Sequence, residues 1–510
     1  MSKKYNLTWI LLTVIFLVSI LIFRLLYIGK FDLTPDEAYF WEWSRHLSIS
    51  HSDQGPVLGL IIFLSTHLVG KINEFSVRLF SPILALFTTI LVYLISKNIF
   101  KNIYSALLSM FVLSILPICA VGGMLITADI PLVFFWTISL FFVQKAISTN
   151  ECKWWYLTGL SSALGIMSKY TMLFFLISVF LLILISQRQR ILLIRKEIYV
   201  AFGISILGLL PMLIWNTTHN MATYGYIKSL FLYNKVIYVD KPGVDGVLEF
   251  ITGQLGIVTP FIGLLFLYLL FILAFYGFKN NNDNFLLLFF SAITLFLFFG
   301  TMSYFCSVEE NWTVVAYISL SIASGVLVSQ EFSEKIRYKI FIKNYAIFAF
   351  VTGSIFTLFI YLQLIFKILP LDAKVDPTNR VRGWKELGNE VTEILRKCPD
   401  NTFILTNYFG IASELSFYVD GKPQVRCVDV GQRLRDYRYW TEFESVTGYD
   451  AVFVSAYPIM EPIIKKIFIS TKFLKTIYIS SDNQLIRTFY VFICKNYKGG
   501  YKLPKSYLSF

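Results

Sequence analysis

The chain has 510 residues, of which 56% are hydrophobic, 17% aromatic and only 15% charged. A soluble domain carries roughly 25% charge, so composition excludes an ordinary soluble protein and points to a polytopic membrane protein. The formal net charge of +13 does not indicate nucleic acid, because the basic residues collect in short stretches between apolar runs, where positive-inside retention accounts for them. None of the six cysteines stands in CxxC spacing, which argues against a zinc knuckle. Cys398, Cys427 and Cys494 leave a disulfide in the C-terminal third open.

A spanning helix needs roughly 20 apolar residues. Apolar runs at 7–28, 76–96, 104–123, 129–147, 155–168, 170–187, 198–215, 255–277, 284–302, 312–329 and 344–367 predict about eleven spans, the fifth being short. The first run follows a short basic start and lacks a small-residue cleavage site, so it is expected to span rather than be cleaved. The segment 57–70 is too short to span comfortably and reads as an interfacial helix.

Between the first two of these runs lies FDLTPDEAYFWEWSRHLSISHSDQGP (31–56). It holds Asp36, Glu37, Glu42 and Asp53, with His46 and His51, among Tyr39, Phe40, Trp41 and Trp43. Acids beside a membrane are costly unless paired or functional. A loop both acidic and aromatic reads as a cleft lining at the membrane surface.

Charge sets the orientation. With the N-terminus inside, inner loops hold Lys97, Lys101, Lys145, Lys153, Arg188, Arg190, Arg195, Lys196, Lys335, Arg337, Lys339 and Lys343. Outer loops hold fewer basic residues, among them Lys30, Arg45, Lys71, Lys228, Lys235 and Lys241. An odd number of spans then puts everything after about residue 370 outside. Asp36, Glu37, Asp129, Lys169, His219 and Glu309 all fall at the same outer face.

From Leu371 the pattern becomes that of a soluble domain. GWKELGNEVTEILRKC has helical spacing, TFILTNY reads as a strand, and FGIASELSFYV as a helix ended by Asp420-Gly421. AVFVSAY is a second strand, PIMEPIIKKIF a helix, and FLKTIYIS and TFYVFICK later strands. The division is thus a transmembrane domain over 1–370, with its acidic first outer loop at 29–75, and a small α/β domain over 371–510. No GxGxxG or GxxxxGK[ST] motif supports nucleotide binding, and no internal repeat is evident.

The polar residues at the outer face form a chemical inventory. Asp129 starts the fourth run, where an acid serves as a helix cap or as a substrate contact. Lys169 stands in MSKYT at the junction of two short spans, placed either to snorkel or to hold a phosphate. Asn216 and His219 end the seventh span, Gln254 begins the eighth, and Glu309, Asn311 and Trp312 begin the tenth. Carboxylates, a lysine, histidines and aromatic rings together suit a phosphorylated lipid and a sugar: rings stack on sugar faces, the lysine stabilises a leaving phosphate, and a carboxylate deprotonates an acceptor hydroxyl.

At these residues the chain resembles the C-type bacterial membrane glycosyltransferases related to protein O-mannosyltransferases and to the lipid A aminoarabinose transferase. The resembling motifs run in the family's order: DEAYFWEWSRHL (36–47), SDQGP (52–56), SVRLFSPILAL (76–86), TADIPLVFFW (127–136), MSKYT (167–171), PMLIWNTTH (211–219), EFITGQLG (249–256), VEENW (308–312), RGWKEL (382–387) and NYFGIASELSFYVDGKP (407–423). The resemblance implies a C-type glycosyltransferase fold, mainly α, with a small extracytoplasmic α/β domain. It implies catalytic roles for Asp36, Glu37 and Asp129, and places the phosphate-binding lysine at Lys169. Tyr39, Trp41, His51, Asp53, Asn216, His219, Glu309 and Asn311 complete the expected substrate-binding set. Two departures stand out. Relatives often carry Asp-His-Pro-Pro where this chain has Asp53-Gln54-Gly55-Pro56, and aminoarabinose transferases carry an arginine where it has Tyr39, which puts aminoarabinose itself in doubt.

The expected function is transfer of one sugar from a polyprenyl (undecaprenyl) phosphate carrier to a cell-envelope acceptor, lipid A or lipopolysaccharide, at the periplasmic face of the inner membrane. The chain is expected to act as a monomer among membrane lipids, with its N-terminus cytoplasmic and its C-terminal domain periplasmic. No cofactor is called for, although a divalent cation is compatible with the acids. Alternatives are a protein O-glycosyltransferase, a ligase moving a whole glycan, and a flippase for a polyprenyl-linked lipid. A flippase would show internal repeats and polar residues at the bilayer midplane, rather than at one face. Which of Asp36 and Glu37 is the base, and whether the acceptor nucleophile is a hydroxyl or a phosphate, stay open in the sequence.

Overall fold

The computed structural model describes residues 3–228, 243–329, 339–430, 434–482 and 484–502. Lys235, Lys241, Lys335 and Arg337 of the charge pattern lie outside the described residues.

The chain opens with α1 (Lys3–Tyr27), then α2 (Pro35–Arg45) in the acidic loop and α3 (Val57–Val69). α3 buries Leu58, Ile62 and Ser65 while Leu60, Leu64 and Leu68 are exposed, an i, i+4, i+8 stripe suited to lie against lipid. α4 (Glu74–Arg78) runs into α5 (Phe80–Phe100). Next come α6 (Ile103–Ile115), α7 (Pro117–Gly122), α8 (Asp129–Thr149), α9 (Cys152–Ile166), α10 (Leu173–Ile185), α11 (Lys196–Leu207) and α12 (Leu210–Thr218). Further helices cover Val244–Val258, Pro260–Lys279, Asp283–Met302, Ala316–Ala323 and Lys339–Phe366.

Among the described residues seven helices are long and apolar enough to cross a membrane: Thr8–Tyr27, Glu74–Phe100, Asp129–Thr149, Lys196–Thr218, Pro260–Lys279, Asp283–Met302 and Ile340–Phe366. The expected spans at 104–123, 155–168, 170–187 and 312–329 correspond to shorter apolar helices. Proline accounts for one of these breaks. Pro117 has no N–H to continue α6 and instead opens α7 at its first position. Pro260 likewise opens a new helix, so Val244–Val258 stands as a separate segment ahead of the expected run at 255–277.

The soluble end is a five-stranded sheet of order β2-β1-β3-β5-β4. Its strands are β1 (Thr402–Thr406), β2 (Arg426–Cys427), β3 (Asp450–Ser455), β4 (Phe468–Ser481) and β5 (Gln484–Tyr497). β1 pairs in parallel with β2 and β3, while β5 runs antiparallel to both β3 and β4. The helix expected over PIMEPIIKKIF shrinks to Pro462–Ile467, because Phe468 already joins β4. All six cysteines are free, so the C-terminal disulfide does not form.

The acidic loop is not a free excursion from the transmembrane part. Tyr39, Trp41, Trp43, Leu58 and Ile62 share one apolar core with Trp384, Leu387, Ile411, Leu415 and Val452 of the C-terminal domain. The first loop and the sheet domain therefore pack as one body over the helical part. Burying each large side chain contributes roughly 1.5–3 kcal/mol to that docking.

Candidate active site

Thr34 and Pro35 set the geometry of the first loop. Pro35 has its φ preset for the first turn of α2, and Thr34 accepts the Glu37 N–H while the Glu37 carboxylate accepts the Thr34 N–H. This turns Glu37 inward. It is fully buried, and both of its oxygens meet Arg78 at 2.7 Å, with the Ile126 N–H on Oε1 at 2.9 Å. Arg78 is equally buried and also donates to the carbonyls of Ile28, Phe31 and Asp32. Glu37 is thus turned away from solvent. Its carboxylate is occupied by a fork-to-fork ion pair that ties the loop to α4 and to the strand of backbone ahead of α8.

Asp36, one residue earlier, points the other way and is 34% exposed. Arg435 lies 3.2 Å from one of its oxygens and Arg380 lies 3.5 Å from the other. Arg435 also reaches Asp53 at 3.6 Å and lies over the rings of Phe409 and Tyr39. His51 stacks on Trp43 at 4.2 Å and its Nδ1 is 2.9 Å from Asp436, which accepts the Ser52 N–H as well. Burial pushes the Asp53 carboxyl up to about 6, with Arg435 opposing and the neighbouring Asp436 adding to the rise. Asp436 is held below the usual carboxylate range: burial works against this, but the hydrogen bonds from His51 and Ser52 outweigh it.

Two of the expected residues are aromatic. Tyr39 is fully buried, with its hydroxyl between the Asp436 N–H and Asp53. Trp41 meets Phe417 edge to face at 5.0 Å and lies under Arg45 and Lys422. Both rings pack into the junction with the C-terminal domain.

The second cluster lies at the helix ends. Asp129 opens α8, but no side chain caps that helix. Its carboxylate instead accepts from Lys169 Nζ at 2.6 Å and from Asn311 Nδ2 at 2.7 Å. Three expected residues, separated widely in the chain, thus meet at one point. Asp129 and Asn311 also line a largely apolar cavity of about 190 Å³ between α1, α5, α7 and α8, with Arg24 on its wall. The two clusters adjoin. Gly55 lies so close to the 167–170 turn that a Cβ there would overlap the Met167 carbonyl, and Val57 N–H donates to that carbonyl at 3.3 Å. Ser50 and the Tyr170 hydroxyl stand 3.4 Å apart.

The remaining expected residues are Asn216, His219, Glu309 and Gln254. Asn216 is buried and closes its own turn, donating to Met212 O and Thr223 Oγ1 and accepting from Thr223 N–H. His219 stacks on Trp215 at 3.9 Å and meets the edge of Tyr439 from the C-terminal domain. Its Nδ1 is 2.9 Å from both the Trp215 carbonyl and the Thr218 hydroxyl. Glu309 is exposed and precedes the turn Glu310–Thr313 without capping it. Gln254 is tied to Thr313 and Tyr317. Among the described residues no group of three or more His, Cys, Asp or Glu is placed to hold a metal ion.

Five cluster residues were missed by sequence reasoning: Arg24, Arg78, Arg380, Arg435 and Asp436. A lone arginine in an apolar run is a functional signal, and that would have found Arg24. Arg435 and Asp436 gave no such signal, since they lie in an ordinary polar stretch.

Comparison with known proteins places this architecture. A family model for dolichyl-phosphate-mannose-protein mannosyltransferases matches residues 53–215. The crystal structure of ArnT from Cupriavidus metallidurans superposes with a TM-score of 0.63 over 96% of this chain and 98% of that one, at 13% identity. The same protein bound to undecaprenyl phosphate superposes equally well, at 14% identity. The lipid A galacturonosyltransferase RgtD of Rhizobium johnstonii is 22% identical over 325 residues, covering 64% of this chain and 67% of the relative. Fold, family match and relative point the same way: the chain has the C-type glycosyltransferase fold and is similar to multi-pass membrane glycosyltransferases of the ArnT and protein-mannosyltransferase type.

Proposed function

We propose that the chain transfers a single sugar from a polyprenyl-phosphate carrier to lipid A. The observation that carries this reading is the meeting of Asp129, Lys169 and Asn311 beside an apolar cavity. An ion pair beside an apolar cavity suits a reaction whose leaving group is a lipid phosphate. The fold similarity to a protein seen with undecaprenyl phosphate and the relationship to a lipid A galacturonosyltransferase support the donor and the acceptor.

In the reaction the acceptor oxygen attacks the anomeric carbon, the bond from that carbon to the carrier phosphate breaks, and the carrier phosphate leaves with the electron pair. Asn311 fixes Asp129, and Asp129 aims Lys169, whose remaining N–H groups meet the developing charge on the phosphate. Asp36 is a first-loop acid that faces solvent, and it takes the proton when the acceptor is a hydroxyl. A phosphate acceptor brings no such proton, and Asp36 then only positions it. Arg435 and Arg380 hold Asp36 in place. Glu37 is a positioning residue acting through Arg78. The N-terminus lies in the cytoplasm, and the sheet domain and both clusters lie outside, in keeping with the charge pattern.

The experiment is lipid analysis of a strain lacking the gene. The expected result is lipid A lighter by one sugar, restored by the wild-type chain. Unchanged lipid A, or loss of a whole glycan chain, contradicts the reading.

A further inference from the structure

Arg24 lies inside the apolar face of α1, three residues from its end, and is only 5% exposed. Its polar neighbours are weak ones: the Tyr361 hydroxyl at 3.3 Å from both Nε and Nη2, and the Cys119 carbonyl at 3.5 Å from Nη2. Among the described residues no carboxylate forms an ion pair with it. Asp129 lines the same cavity but is already engaged by Lys169 and Asn311. A guanidinium taken out of water without an anion costs several kcal/mol of solvation that such long neutral contacts do not return. Gly123 keeps the space in front of it open, since a Cβ there would overlap the guanidinium.

The surroundings are those of a lipid site. The cavity wall beside Arg24 is apolar: Leu113, Ile118, Val121, Leu125, Ile130 and Val133 contribute to it. A second, small cleft shares Arg24 and Thr89 and continues between α1 and α5 past Leu17, Ile20 and Leu86. α1 itself is scarcely buried against the rest of the chain, so this cleft runs towards the bilayer.

We infer that Arg24 is an anion-binding residue that holds the phosphate of a lipid, with the headgroup in the cavity and the chain leaving between α1 and α5. Lys169 is already neutralised by Asp129, so Arg24 supplies the uncompensated positive charge in this cavity. Its planar fork suits two phosphate oxygens at once. The lipid phosphate has two sources, the donor's polyprenyl carrier or a bilayer phospholipid. The first deepens the proposed function and rests on it; the second does not.

The test is binding of undecaprenyl phosphate, undecaprenol and phosphatidylglycerol to the purified full chain in a phosphate-free detergent, read by native mass spectrometry. Arg24→Gln is expected to lower affinity for undecaprenyl phosphate at least tenfold and leave undecaprenol unchanged. Arg24→Lys should retain part of it. Tyr361→Phe, which removes a structural partner of Arg24 but not its charge, should stay within about twofold of wild type, as befits one neutral hydrogen bond. Ala85→Trp, which puts a large ring into the cavity and leaves residue 24 an arginine, should reproduce the loss even where Arg24→Gln folds poorly. A loss confined to phosphatidylglycerol keeps the lipid-phosphate site and identifies the bilayer as its source. If wild type also binds no undecaprenyl phosphate, the proposed donor fails while Arg24 stands. Equal affinity of wild type, Arg24→Gln and Ala85→Trp for both phosphates overturns the inference.

Discussion

Lys169 Nζ stands 2.6 Å from Asp129 Oδ1, across the gap between the start of α8 and the turn that follows α9. Neither residue is free to act alone. Removing Lys169 leaves Asp129 with Asn311 only, and removing Asp129 leaves a lysine that no longer points into the site. Lys169→Ala should weaken donor binding about ten- to hundredfold, the worth of one charged hydrogen bond. Lys169→Ala with Asp129→Asn should cost less than the sum of the two singles, by about 0.5–3 kcal/mol, when donor affinities are compared in a double-mutant cycle. Additive losses would mean that the two residues act separately.

Asp36 and Glu37 divide the labour of one dipeptide. Glu37→Gln strips the charge from a fully buried ion pair and leaves Arg78 uncompensated. Breaking such a pair costs about 3–5 kcal/mol, so a large fall in melting temperature and folded yield is expected. Asp36→Asn should melt like wild type and, with a hydroxyl acceptor, lose about 10²–10⁴ in turnover. A Glu37→Gln protein that melts normally would return Glu37 to the reacting centre.

That division shows what was legible. Adjacent side chains must diverge, and the capping pattern Thr34-x-x-Glu37 is visible in the chain. What each acid meets was hidden, because the partner of Glu37 lies 41 residues on and the partner of His51 lies 385 residues on. Apolar runs and soluble strands were readable because their periods are local. The break at Pro117 was readable in principle, since proline cannot donate to the turn before it. The packing of Trp41 and Tyr39 was not legible for a physical reason: an aromatic loop beside a membrane looks the same whether it faces a sugar or a second domain. Asp129, Lys169 and Asn311 were legible as candidates because polar residues at the ends of apolar runs are few.

Asp53 gives a pH signature. Its folded carboxyl, pushed up to about 6, binds a proton more tightly than in the unfolded chain. The ionised form therefore costs stability, and the cost grows as pH rises from about 4 to about 6 and is constant above. Asp436 shifts the opposite way, so its contribution is lost only below about pH 4. The melting temperature of Asp53→Asn relative to wild type should rise between pH 4.5 and 6.5. A difference that stays flat across that interval would place the Asp53 titration elsewhere.

Gly55 should tolerate no side chain. The loop 50–57 rests on the Met167 carbonyl, and a methyl group at Gly55 would occupy that contact. Gly55→Ala should lift the loop from the 167–170 turn, lowering turnover severalfold while the sheet domain keeps its fold, as read by circular dichroism of the purified chain. Wild-type turnover would separate the first-loop cluster from the Lys169 cluster functionally.

Orientation is tested by thiol labelling in a background free of the native cysteines. A cysteine near Asp420 should react with an impermeant reagent in intact spheroplasts, and one near Arg190 should not. The reverse pattern would put both clusters on the cytoplasmic side.

The most direct measurement is transfer by the purified chain. Wild type, Asp129→Asn and Asp36→Asn would each be given an undecaprenyl-phosphate sugar and lipid A, with products weighed by mass spectrometry. Wild type should add one sugar mass to lipid A and release undecaprenyl phosphate in equal amount, with Asp129→Asn strongly impaired. Lipid A of unchanged mass, across carriers bearing neutral, amino and acidic sugars, would contradict the account.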